Sequence, residues 1–105
     1  MIHALKTKPK YFEDLVAGVK KFEVRKNDRP YKIGDYVALN EWNGEQYTGK
    51  CILQKIVYIL SDSEYCKEGY IVLGVEPCVI GEIEEQHRVL QGFRGREKVP
   101  VYDRN

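Results

Sequence analysis

Between residues 20 and 29 the chain reads KKFEVRKNDR, a stretch whose residue types suit the holding of an anion. Lys20, Lys21, Arg25, Lys26 and Arg29 place five cations within ten residues, with Glu23 and Asp28 set among them. Arg29 stands before Pro30 with no turn-making reason to be there, and its planar, always-charged fork fits a phosphate or a carboxylate. Asn27 and Asp28 are turn formers first and polar contacts second. Lys20, Glu23 and His3 are the candidates for general base, acid and phosphate stabiliser, and a histidine near a carboxylate can titrate near neutral pH. His3 shares a strand face with Leu5, so it also reads as a buried, hydrogen-bonded histidine, and Lys6 lies on the opposite face. The whole charged row has a plainer reading as well. Alternating charges keep a sheet edge soluble, and exposed ion pairs contribute little.

These groups need elements to position them, and the apolar pattern supplies the outline. HALK (3–6) reads as a first strand. Pro9 opens a short helix whose apolar stripe is Phe12, Leu15, Val16 and Val19, and Gly18 stops it. In KKFEVRK the period changes to two, so that Phe22 and Val24 point one way and Lys21, Glu23 and Arg25 the other. The charged set is expected on the solvent side. Residues 27–35 form a loop ahead of a strand at 35–42. Asn43-Gly44 signals a hairpin into a long strand at 47–60, and YIVLGVEP (70–77) is apolar on both faces and expected to be central. The fold class is therefore α+β and mainly β: a small barrel of about five to six strands with one or two flanking helices. Residues 1–79 form the expected domain. Residues 80–105 read as a C-terminal extension, a helix plus a partly flexible tail, or alternatively a further strand through Val99, Val101 and Tyr102.

Length and composition narrow the classes. A chain of 105 residues that is 43% hydrophobic suits one domain with a modest core. No apolar run approaches the ~20 residues of a membrane span, and no apolar block follows the first charges as it would in a secretory signal. Cytoplasm is the expected compartment, with no membrane contact. Cys51, Cys66 and Cys78 are odd in number and lack CxxC spacing, which points to reduced thiols rather than a disulfide framework or zinc knuckle. With no HxH and no carboxylates at ligand spacing, neither a metal nor a cofactor is expected. The net charge is only +1, but residues 1–32 carry +5 and residues 33–79 carry −4. A basic N-terminal third can present a local positive field to an anion.

GVKKFEVR resembles the ASCH signature GxKxxExR, at Gly18, Lys20, Glu23 and Arg25. The wider chain is similar to a small bacterial and phage family of unknown function in that superfamily. The resemblance rests on His3, Lys6, Tyr11-Phe12, residues 22–29, Gly34-Asp35, Glu41-Trp42, Tyr47-Thr48-Gly49 and residues 69–74, and it spans about residues 3–76. It implies a PUA-like β-barrel with a cleft lined by the signature residues, and a role in binding RNA or a modified nucleotide. On that reading Lys20, Arg25, Lys26 and Arg29 attract phosphate. Glu23 and Glu41 accept from base N–H groups or hold the basic side chains, and His3, Lys6, Asn27 and Asp28 complete the lining. Tyr31, Tyr36 and Trp42 offer stacking surfaces, with ordinary packing as the plainer role of Trp42.

Some members of that superfamily resemble amidohydrolases of acetylated cytidine, and these carry Thr where this chain has Glu23. The hydroxyl is missing at the matched position, and Thr48 lies elsewhere in the pattern. The leading expectation is thus an RNA- or nucleotide-binding module without catalysis. A hydrolase of RNA or a modified nucleoside using Lys20 and Glu23 is the alternative. A protein-interaction accessory domain of bacterial or phage origin is the third.

Overall fold

A computed structural model describes residues 1–77 and 101–103. The first strand, β1 (Ile2–Thr7), is followed by helix α1 (Pro9–Val16) and strand β2 (Phe22–Lys26). Strands β3 (Tyr36–Trp42), β4 (Tyr47–Leu60), β5 (Tyr70–Pro77) and β6 (Val101–Asp103) follow. They form one six-stranded sheet in the order β2-β5-β4-β3-β1-β6. β1 runs parallel to β3 and to β6, and every other pairing is antiparallel. The fold is mainly β with one described helix, as the sequence predicts. The expected helix after residue 80 lies outside the described residues. Within the expected tail, residues 101–103 add a strand to β1.

The sheet is strongly curled. β2 and β1 stand four strand spacings apart in the sheet order, about 19 Å if it were flat. Yet an Arg25 side-chain N–H from β2 lies 2.9 Å from the Lys6 carbonyl of β1. Only curling brings the two strands within reach of one arginine side chain. The apolar residues on the concave side fill the half-barrel: Leu5, Val37, Leu39, Ile56, Ile71, Leu73 and Val75, joined by Leu15 from α1. A smaller cluster of Ile2, Ala38 and Leu53 lies on the opposite face.

Local chemistry accounts for the turns. The Asn43 carboxamide oxygen accepts from the backbone N–H groups of Glu45 and Gln46 at 2.9 and 3.0 Å, which closes the predicted hairpin between β3 and β4. β4 and β5 change register between Ile56 and Tyr58, a bulge that sharpens the bend.

Two orientations correct the sequence reading. In α1 Phe12 and Leu15 are buried, but Val16 and Val19 are exposed, because the helix ends at Val16 and the chain turns away at Gly18. In β2 the period of two holds and the faces are reversed. Glu23 is 2% exposed, whereas Phe22 and Val24 are 49% and 54% exposed. Glu23 and Arg25 face the interior of the half-barrel and Phe22 and Val24 face out, while Lys21, ahead of the strand, is exposed.

Candidate functional site

The reversed strand is what builds the site. β1 ends at Thr7, and Lys8 takes an extended conformation ahead of Pro9. α1 then makes two turns. Gly18, at φ +76°, adopts the left-handed conformation that glycine reaches without strain and sends the chain back. This return lays Lys20 and β2 beside the end of β1. Between them lies a cavity of about 500 Å³, with Lys6, Thr7, Lys8 and Tyr11 on one side and Lys20, Phe22, Glu23, Val24 and Arg25 on the other.

Four cations and one carboxylate therefore share one cavity. The Glu23 carboxylate accepts from Arg25 Nη2 at 2.8 Å and Nε at 3.2 Å, and from the Lys20 ammonium on its other oxygen. Lys20 also donates to the Phe22 carbonyl at 2.6 Å. A carboxylate this buried is tolerable only when paired, and here both oxygens are engaged. Arg25 continues across the seam of the half-barrel to the Lys6 carbonyl at 2.9 Å and the Thr7 hydroxyl at 3.3 Å. Arg29 reaches the Ala4 carbonyl at 3.5 Å. Carbonyls two residues apart point to the same edge of a strand. Two guanidinium groups thus tie the β2 side of the seam to one edge of β1.

The other predicted residues distribute around this centre. Lys26, Asp28, Arg29 and Tyr31 line a shallower hollow of about 170 Å³ that shares Lys6 and Arg25 with the main cavity. Arg29 Nε lies 3.8 Å from the Asp28 carboxylate. Asn27 faces a separate hollow beside Ser61, Ser63 and Tyr70. Glu41 is buried, accepts the Thr48 hydroxyl at 2.8 Å and does not line the cavity. Lys6 also lies over the Trp42 ring, 4.2 Å from its centre.

His3 belongs to the core rather than to the cleft. It is fully buried, its Nε2 is 2.8 Å from Asp35 Oδ2, and its ring packs at 4.6 Å against Tyr31. Asp35 also receives the Lys32 backbone N–H at 3.0 Å, so the pair ties β1 to the loop before β3. Burial lowers the His3 pKa below 6.5 against the opposing pull of Asp35. Burial acts to raise the Asp35 carboxyl, but the His3 hydrogen bond and the terminal ammonium outweigh it and hold the pKa below 3.8. A neutral His3 donating to an ionised Asp35 satisfies both shifts.

Both shifts have the same sign for stability. The unfolded chain takes up a proton at His3 below about pH 6.5 and at Asp35 below about pH 3.8, before the folded chain does. Unfolding free energy should therefore fall as pH drops below 6.5, and fall again on approach to 3.8. Urea titrations from pH 8 to pH 4 check this, and His3→Gln should remove the upper portion of the slope. A flat profile between pH 7 and 5 would contradict the buried neutral assignment.

Thr7, Lys8, Tyr11, Phe22 and Val24 line the cavity and are not among the predicted site residues. The basic Lys8-Pro9-Lys10 run at a helix start was the available signal for Lys8. Nothing in the sequence marked Phe22 and Val24, whose apolar character assigned them to the core. Among the described residues, no three His, Cys, Asp or Glu gather as a metal site would require, and no helix is long and apolar enough to cross a membrane.

Comparison with known proteins adds a family. Residues 2–75 match the family described as domain of unknown function DUF3850. The chain is also similar to an uncharacterized 12.9 kDa protein in the GpA 3'region of Escherichia phage P2. The two are 35% identical over 82 residues, which cover 78% of this chain and 72% of the phage protein. The match runs from β1 into β5 and takes in every residue of the cavity, and the chain belongs to the DUF3850 family.

Proposed function

We propose that the chain is a nucleic-acid-binding module that takes a nucleotide of single-stranded RNA, or a free nucleotide, into the cavity between β1, α1 and β2. The observation that carries this reading is the lining itself. Lys6, Lys8, Lys20 and Arg25 converge on one concavity with the single carboxylate of Glu23 and the rings of Tyr11 and Phe22. Ammonium and guanidinium groups suit phosphate, the two rings suit a base, and the carboxylate can accept only from N–H or O–H groups. A volume of about 500 Å³ falls within the range of small-ligand sites. The resemblance to the ASCH signature and its PUA-like setting supports the same reading, and a cytoplasmic location would give such a module access to RNA.

Hydrolysis is less well supported. In the roles expected of them Lys20 would need a free lone pair and Glu23 a proton to give, whereas the two face each other as an ion pair with Arg25 on the same carboxylate. Fluorescence anisotropy of a labelled random RNA decamer at low salt tests the proposal. Saturable binding is expected, with competition by unlabelled mononucleotide. An unchanged anisotropy at every protein concentration would reject it.

A further inference from the structure

The cavity does not stop at β2. Because β2 is the edge strand of the sheet order, the cavity wall wraps around it, taking Glu23 and Arg25 from the inner face and Phe22 and Val24 from the outer face. The outer face continues over three strands. Strand register sets Phe22 opposite Gly74 and Gly74 opposite Tyr58. The next row runs Val24, Val72, Leu60, and the row after it pairs Lys26 with Tyr70. Tyr58 is 61% exposed and shares the first row with the half-exposed Phe22. Gly74 permits that arrangement, since a Cβ there would lie 3.1 Å from the Cβ of Tyr58.

This surface has a chemistry beyond exposed apolar area. The Lys20 ammonium lies 5.2 Å from the centre of the Phe22 ring, and the Lys67 ammonium 5.4 Å from that of Tyr70. Lys26 is the strand partner of Tyr70. Rings are thus interleaved with cations, which is how single strands are held: bases stack on the rings and phosphates meet the ammonium groups. Carboxylates bound the face rather than occupy it, with Glu76 beside Lys55 beyond the Phe22 row and Asp62, Glu64 and Glu68 in the loop after β4. The rows span about 10 Å across the strands and about 13 Å along them, room for two or three bases.

We propose that the outer face of β2, β5 and β4 is a stacking platform for the bases of a single-stranded nucleic acid whose leading nucleotide sits in the cavity. This proposal rests on the nucleotide reading of the cavity and extends it around the edge of β2. The test is the length dependence of binding, using uridine monophosphate and oligo-uridine of two, four and eight nucleotides, with oligo-thymidine as the DNA arm. Affinity should rise with length to about four nucleotides and then level, and an RNA-only rise would identify the 2′-hydroxyl as read. Tyr58→Ala should weaken the tetranucleotide at least about fivefold and leave the monophosphate unchanged, while Tyr58→Phe keeps the wild-type affinity. Circular dichroism should match the wild type for both variants, since the side chain is mostly exposed. Equal affinity for one and four nucleotides, or a Tyr58→Ala variant unchanged toward both, overturns the platform and leaves the cavity reading intact. Absence of binding at every length overturns both. Sedimentation showing a dimer that Tyr58→Ala dissociates would assign the face to a second copy of the chain and overturn the platform as well.

Discussion

Replacing Arg25 with alanine is expected to destabilise the fold by about 3–5 kcal/mol, the cost of leaving one partner of a buried ion pair without the other. Glu23 is nearly inaccessible to water and would keep Lys20 alone as its counter-charge. The same change removes the donors to the Lys6 carbonyl and the Thr7 hydroxyl, so the seam between β2 and β1 opens at one of its two guanidinium ties. A domain of this kind has roughly 5–15 kcal/mol in total, so the variant should sit near the edge of folding. Urea denaturation followed by circular dichroism measures the loss. A Glu23→Leu, Arg25→Met double variant separates the two contributions. Removing the pair together relieves the stranded charge, so the double variant should recover part of the loss, and what remains is the seam. A loss below about 0.5 kcal/mol for Arg25→Ala, the range of ordinary surface changes, would mean that the pair is solvated and that β2 does not face inward.

The second large effect is on binding. If three or four of the cations lining the cavity meet phosphates, the affinity for single-stranded RNA should fall roughly 20- to 50-fold between 50 and 200 mM monovalent salt, following a slope of about −0.7 per phosphate neutralised. Lys8→Ala is the cleanest probe of the count. Lys20 and Arg25 also hold Glu23, and Lys6 packs on Trp42, whereas Lys8 is exposed at the cavity mouth. Its removal should weaken all sequences alike and reduce the magnitude of the slope by about 0.7. Binding that changes less than twofold over that salt range would place recognition on the rings and the Glu23 carboxylate, and would remove phosphate from the account.

Arg25 carries a consequence for reading such sites. Binding residues and structural residues are usually sought separately, yet this guanidinium lines the cavity and closes the seam at once. Loss of binding in an Arg25 variant would therefore not separate contact from collapse. Lys8 and Tyr11, which line the cavity from the exposed start of α1, can be changed with less structural consequence.

Much of the fold was legible in the residues. The period of two in residues 21–26, the Asn-Gly hairpin, the proline-opened helix and the β-branched runs of β4 and β5 each follow from local chemistry that acts over a few residues. Lys20, Glu23 and Arg25 were named from charge and spacing and Lys6 from the family resemblance, and the four line one cavity. Which face of β2 looks inward could not be read that way. Alternation determines that Glu23 and Arg25 lie together, and hydrophobicity alone assigns Phe22 and Val24 to the interior. The interior took the charges because their partners come from elsewhere in the chain: Lys20 from the turn after α1, and the Lys6 carbonyl and Thr7 hydroxyl from β1. His3 was open for the same reason, since Asp35 and Tyr31, which make it a core residue, lie about 30 positions away. The sequence by itself determined the elements, their order and the cluster of charges. Only the curl of the sheet decided that Glu23 is buried, paired with Lys20 and Arg25 and set in the lining of a cavity, because burying a charge depends on long-range partners that no local pattern encodes.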